Sequence, residues 1–380
     1  MNSIYLDHAA TSPTREEVVE AMVPYFTSQY GNPSSIHQFG RNTRQALDEA
    51  RRVIAGSINA NFNEIIFTSG GTESDNMAII GTAFALQEKG KHIITTKVEH
   101  HAVLHAVEYL EENGFEVTYL PVDEEGLIDP QQVEDAIRED TILVTIMYGN
   151  NEVGTLQPIQ EIGRITSEKE VLFHTDAVQA YGSVIIDVKH IGIDLLSVSA
   201  HKINGPKGNG FLYVREGIWL EPRAFGGEQE RKRRAGTENV PGIMGMKKAV
   251  ELIQDEKINR YGELLQMKKR MLEIFDDAGI EYVLNGSITN SLPHVLNISF
   301  PGTNVESMLV NLDLSGIAAS SGSACTAGSI EPSHVLAAMF DDHERMTSAI
   351  RFSFGFGNTV EEIDRAANET VRIVNRLTSM

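Results

Sequence analysis

The chain has 380 residues, 41% of them hydrophobic, one cysteine and a formal net charge of −21 at pH 7. That length exceeds what one hydrophobic core usually fills, so one large and one smaller domain are expected. The acidic excess disfavours a nucleic-acid binder, and a lone cysteine excludes an internal disulfide and a structural zinc site of the usual kind. The start, "MNSIYLDHAATSPT", lacks the basic-then-apolar pattern of a secretion signal, and no apolar run reaches membrane-spanning length. A cytoplasmic chain is expected.

Strand and helix patterns alternate along the first two thirds. Strands are predicted at 64–69, 92–96, 115–122, 141–148, 171–176, 195–200 and 210–214. Helices are predicted at 74–90, 101–114, 130–140 and 158–169, with Gly90 as a C-cap. This alternation predicts an α/β fold, a mostly parallel sheet with helices on both faces. Two amphipathic helices follow, "VPGIMGMKKAVELIQDE" and "YGELLQMKKRMLEIFDDAG". Then come a strand at 294–300, a helix at 305–313, a strand at 349–355 and a helix at 360–377. The reading is a large domain over 14–255 and a smaller α+β domain from 1–13 and 256–380.

Ligands of open α/β sheets bind beyond the carboxyl ends of the strands, and several strands here end in reactive residues. "TSGGTESDN" (68–76) places Gly70, Gly71 and Thr72 before a helix: a phosphate cup, or a tight turn capped by Thr72. Asp176 ends an apolar strand, either as a carboxylate awaiting a cation or as a helix cap. Gln179 lies three positions on. Lys202 follows another apolar strand, either as a solvated turn lysine or as an amine that forms a Schiff base. His100 stands at a strand-to-helix turn, where an acid or base would serve. His101 and His105 have a zinc-like spacing but no third ligand, so no metal site is expected. Cys325 sits in "SSGSACTAGS" (320–329), either as an incidental exposed thiol or as a nucleophile on a flexible arm. The basic run Arg231 to Arg234 reads by itself as a solvated face. A phosphate cup, an acid and a lysine, in this order along the chain, are what pyridoxal phosphate needs.

Over essentially its whole length the sequence resembles the cysteine desulfurases, fold-type I pyridoxal-phosphate enzymes of the class-V aminotransferase family. The likeness rests on "YLDHAATSP", "GNPSSIH", "TSGGTESDN", "EHHAVL", "NNEVGT", "HTDAVQAYG", "SAHKINGPKG", "GGEQERKRRAGTENV" and "SSGSACTAGSIEPSHVL". The resemblance implies that Lys202 holds pyridoxal 5'-phosphate and that Asp176 pairs with its ring nitrogen. It implies Gln179 on the ring's phenolic oxygen, Asn151 beside the ring and His100 stacked on it to move protons. Gly71, Thr72, Ser199 and His201 would bind the phosphate. Thr237 would reach the phosphate of a second subunit in a homodimer, with the basic run flanking that shared site. Arg351 would clamp the substrate carboxylate, with Asn32 assisting.

Two departures stand out: Asn204 where the family usually has tyrosine, and "GFGNT" (355–359) after the arginine strand. The cysteine segment resembles the long-loop group rather than the relatives of selenocysteine lyases. The implied activity removes sulfur from L-cysteine to give L-alanine and a persulfide on Cys325. An acceptor protein of iron–sulfur assembly or tRNA thiolation would take the sulfur. Two rivals remain: another pyridoxal-phosphate aminotransferase or lyase with Cys325 incidental, and a non-catalytic scaffold for sulfur-handling partners.

Overall fold

The computed structural model describes residues 3–322 and 333–379. The elements run β1 (Ile4–Tyr5), α1 (Glu16–Thr27), α2 (Gln38–Ser57), β2 (Ile65–Thr68), α3 (Gly71–Leu86), β3 (His92–Thr96), α4 (His101–Glu112) and β4 (Glu116–Leu120). Next are α5 (Pro130–Ala136), β5 (Thr141–Thr145), α6 (Ile159–Glu168), β6 (Leu172–Asp176), α7 (Val188–Ile191), β7 (Leu195–Ser199) and β8 (Gly210–Val214). The chain continues through α8 (Val240–Ala278), β9 (Val283–Asn285), β10 (Val295–Ser299), α9 (Val305–Leu314) and β11 (Ile317–Ala318). It closes with α10 (His334–Met339), α11 (His343–Thr347), β12 (Ala349–Ser353) and α12 (Val360–Thr378).

Seven strands form one sheet in the order β2-β8-β7-β6-β5-β3-β4. Strands β3 to β7 pair in parallel, and β8 runs antiparallel between β2 and β7. Side chains alternate across this sheet. Ile65, Phe67, Leu196, Val198, Phe211 and Tyr213 enter one core, while Ile66, Leu195, Leu212 and Val214 enter a second on the opposite face. Helix α3 buries nearly its whole circumference, which its small and apolar residues Ala78, Ile79, Ile80 and Ala83 permit. A separate three-stranded sheet, β12-β10-β9, is antiparallel. Its core gathers Leu296, Ile298, Ile350 and Phe352 with Ile4 and Leu6 from the N-terminal segment. The mixed α/β architecture is the expected one.

Helices α1 and α2 were not expected, several element ends fall a few residues short of expectation, and two further differences bear on the site. The helix expected from residue 74, α3, starts at Gly71, because Gly70 adopts φ +149°, a turn open to glycine. The two amphipathic helices are one, α8, of 39 residues. Residues 257–262 contain no proline, and a single Gly262 is too weak a breaker to end a packed helix. Ile243, Met246 and Val250 of α8 join the large-sheet core, and Leu264, Met271 and Phe275 join the small-sheet core. Gly279, in the left-handed region, ends it.

Candidate active site

Strands β3, β5, β6 and β7 are parallel, so their carboxyl ends share one side of the sheet. A cavity of about 410 Å³ opens there. Gly71, Thr72, His100, Asn151, Asp176, Gln179, Ser199, His201, Lys202 and Arg351 all line it. Asn32 and Thr237 do not; both are exposed elsewhere on this chain, and Asn32 accepts a hydrogen bond from the Ser34 N–H at 2.8 Å. Cys325 lies outside the described residues. The residue before the undescribed stretch, Gly322, lines the cavity, and so does His334 just after it.

Lys202 sits in a single helical turn after β7. Its Nζ donates to the carbonyls of Ala9 at 2.5 Å and Ala10 at 2.9 Å. The N-terminal segment therefore positions the lysine, a contact nonlocal enough to escape sequence reading. Asp176 is buried at the end of β6 and accepts the Val178 N–H at 2.9 Å. Burial raises its pKa to about 6, against the opposing effects of that N–H and of Lys202. Asp176 is thus ionised at neutral pH. Asp75 lies on the same wall, its Oδ1 3.6 Å from His174 Nε2 and without a hydrogen bond among the described residues. Burial, then the Asp176 charge, pushes the Asp75 carboxyl well above the usual carboxylate range.

His100 caps α4, its Nδ1 accepting the Ala102 N–H at 3.1 Å. The ring proton therefore sits on Nε2. Burial first, then Lys202 and neighbouring histidines, lowers its pKa to about 4, so the ring is neutral. His201 is also neutral, lowered to about 4 by burial and then by Lys202 and Lys207, and its Nδ1 lies 3.0 Å from Thr11 Oγ1.

Arg351 is 2% exposed. Its Nη1 donates to the carbonyls of Asn151 at 2.8 Å and Gly322 at 3.1 Å, and its Nη2 to Asp7 Oδ1 at 2.9 Å. Its Nε, like Asn151 Oδ1, is buried without a partner among the described residues. Such groups are costly unless a ligand meets them. At Gly71 an added Cβ would come 2.6 Å from Val178 Cγ2, so only glycine leaves this end of the cavity open. Beyond it lie the first N–H groups of α3, which have no intrahelical partner.

Sequence reading did not single out Asp75, Glu152 or His334, although each lies inside a quoted motif. Glu152 is buried and accepts from the Ser333 hydroxyl, beside Gly322. His101 and His105 stack, with centroids 5.1 Å apart, and among the described residues no group of three or more His, Cys, Asp or Glu is arranged to hold a metal ion. Asn204 occupies a left-handed position, φ +61°, which asparagine tolerates, and its Oδ1 accepts from Arg260 at 3.0 Å.

The family description Aminotransferase class-V matches residues 4–366. A Bacillus subtilis relative is 59% identical over 379 residues, covering 100% of both chains. A Dictyoglomus turgidum relative named cysteine desulfurase IscS is 51% identical, covering 98% of this chain and 95% of its own. The chain belongs to the class-V aminotransferase family, in its cysteine desulfurase group. A solved NifS-like protein superposes with a TM-score of 0.93 at 35% identity, covering 98% of this chain and 100% of its own. The family's mostly parallel sheet is the one that carries the strand-end cavity. No helix among the described residues is long and apolar enough to cross a membrane.

Proposed function

We propose that this chain is a pyridoxal-phosphate-dependent cysteine desulfurase. The observation that carries the reading is the convergence of Lys202, ionised Asp176 and the open-edged Arg351 on one cavity. The walls fit the cofactor: a glycine-cleared pocket beyond the first N–H groups of α3, an anion at the end of β6, and buried polar atoms awaiting partners. Lys202 would hold the cofactor's aldehyde carbon, Asp176 its ring nitrogen, and Gly71, Thr72, Ser199 and His201 its phosphate. When bound, the cofactor supplies an electron sink for the α-carbon of an amino acid.

The chain's own residues do the rest. The Nε edge of Arg351, with Asn151, binds the substrate carboxylate. Asn32 and Thr237 lie outside this cavity in the single chain, and Thr237 is read as serving the cavity of a partner in a homodimer. His100 holds its proton at Nε2 and can give it up there. Cys325 takes the sulfur: the substrate carbon–sulfur bond breaks and a sulfur–sulfur bond forms. L-Cysteine and the thiol become L-alanine and the persulfide, with no added oxidant. Gly322 and Ser333, on either side of the cysteine-bearing stretch, both lie against Glu152, which supports delivery from the cavity rim. An acceptor protein, an iron–sulfur scaffold or a tRNA-thiolation enzyme in the cytoplasm, would receive the sulfur. The two units of the reading, 14–255 and 1–13 with 256–380, would meet at this cavity.

The test is alanine release from L-cysteine by the protein loaded with pyridoxal phosphate. Alanine and sulfide in equal amounts are expected under reductant. Cys325→Ala should abolish both while keeping the cofactor's colour. A colourless protein, or pyruvate or another product in place of alanine, would contradict the reading.

A further inference from the structure

Behind the main cavity lies a narrow one of about 30 Å³, lined among others by His8, Ser183, Arg260 and His294. Gln179 and Lys202 line both cavities and so form the partition between them. The partition is held by a short chain of hydrogen bonds. Gln179 Nε2 donates to the Ala9 carbonyl at 2.8 Å, the same carbonyl that Lys202 engages. On its other side, Gln179 Oε1 lies 3.2 Å from His294 Nε2, and His294 Nδ1 lies 3.4 Å from Ser183 Oγ.

Donor and acceptor roles follow from one fixed point. A backbone carbonyl can only accept, so the Gln179 amide must turn its NH₂ to Ala9 and its oxygen to His294. The oxygen in turn requires His294 Nε2 to carry the ring proton. His294 Nδ1 is then an acceptor and takes the Ser183 hydroxyl. The groups facing His294 are Arg260, His8, Lys268 and Lys202. Burial first, and then these basic groups, keep its ring uncharged, so it has one N–H to give and no second. One hydrogen of Gln179 NH₂ is spent on Ala9, and the other is left for the main cavity.

We propose that His294 is a positioning residue for the cofactor pocket: its Nε2–H fixes the Gln179 amide so that one Nε2–H of Gln179 points at the ring's phenolic oxygen. The proposal rests on the reading of Gln179 as that oxygen's partner. Without His294 the amide has only Ala9 to orient it, and it can swing its donor away. A donor at the phenolic oxygen stabilises the oxygen's negative charge. Losing it makes the oxygen hold the neighbouring proton more tightly, so the bound cofactor titrates at higher pH.

The experiment compares the wild type with His294→Leu, His294→Gln, Gln179→Leu and the His294→Leu/Gln179→Leu double variant. Each is loaded with pyridoxal phosphate and followed by visible absorbance against pH and by cofactor dissociation constant. His294→Leu should raise the absorbance midpoint by about half to one pH unit and weaken cofactor binding by about three- to tenfold. Gln179→Leu should do the same or more, and the double variant should match Gln179→Leu alone. His294→Gln, which returns a donor near the Nε2 position, should restore most of the wild-type midpoint. A His294→Leu midpoint at the wild-type value alongside a shifted Gln179→Leu would overturn this proposal and leave the cofactor reading standing. A wild type that takes up no pyridoxal phosphate would overturn both. Should His294→Leu fail to fold, nitrogen NMR of histidine-labelled wild type reads the tautomer directly. A proton on Nε2 supports the proposal, and a proton on Nδ1 overturns it.

Discussion

The floor and the back wall of the cavity are built from opposite kinds of charge and reach the same end. Asp75 and Asp176 line the floor, and Glu99 is buried behind them, close enough to act on Asp75. Burial pushes Asp75 up, Glu99 to about 8 and Asp176 to about 6. Asp176 loses its proton below neutral pH and Glu99 above it. The back wall gathers His8, Arg260, Lys268 and His294, and burial lowers all four, His8 to about 4 and His294 to about 3. Its histidines are neutral donors and acceptors. Crowding like charges in a dry wall makes the surplus groups give up their charge. The floor keeps one anion where a cationic ring nitrogen would sit, and the back wall keeps one uncharged N–H where an amide must be held.

Substitutions separate groups that must be charged or nucleophilic from those that only fill the wall. Lys202→Ala should reduce desulfurase kcat/KM by roughly 10⁴-fold or more, read as alanine formation. Asp176→Asn keeps shape but removes the floor's only charge, and kcat should fall by roughly 10²- to 10³-fold with cofactor still bound. Arg351→Ala should raise the KM for cysteine by about 100-fold and change kcat little, since a bidentate charged contact is lost. Asp75→Asn replaces a carboxyl that burial and the Asp176 charge both push toward its neutral form, so kcat should change less than about threefold. A large loss there, equal to that of Asp176→Asn, would mean that the floor's charge is shared and would break the contrast.

A last effect is on stability rather than rate. Glu99 loses its proton near 4.5 when unfolded but near 8 when folded. Between those values the folded chain keeps a proton that the unfolded chain has lost, so this group's contribution to stability falls as pH rises from 4.5 to 8. Glu99→Gln should flatten the decline between pH 5 and pH 8 by about 3 to 4 kcal/mol, measured by urea unfolding. An unchanged slope would place Glu99 among ordinary carboxylates.

Much of the site was legible because strand ends are local features. An apolar run followed by Asp176 or Lys202 marks where a sheet delivers a polar group, and the parallel order brings those ends together. The close backbone approach at Gly70 and Gly71 was legible in the same way, while the helix start at Gly71 was not. What was not legible is nonlocal. Nothing near Lys202 in sequence says that Ala9 and Ala10 will accept its hydrogens, 193 and 192 residues away. Nothing near Gln179 points to His294, 115 residues on. The fusion of two helices into α8 was hidden because one face serves two cores in succession. Asn32 and Thr237 were placed by likeness alone, and a single chain puts neither beside its own cavity.

The most direct test follows the sulfur atom. The loaded protein is mixed with one equivalent of L-cysteine without reductant, and its peptides are weighed. The account predicts one added sulfur on the peptide holding Cys325 and one alanine released per site. Alanine released with the Cys325 peptide unchanged, or a Cys325→Ala variant that still yields alanine at the wild-type rate, would contradict it.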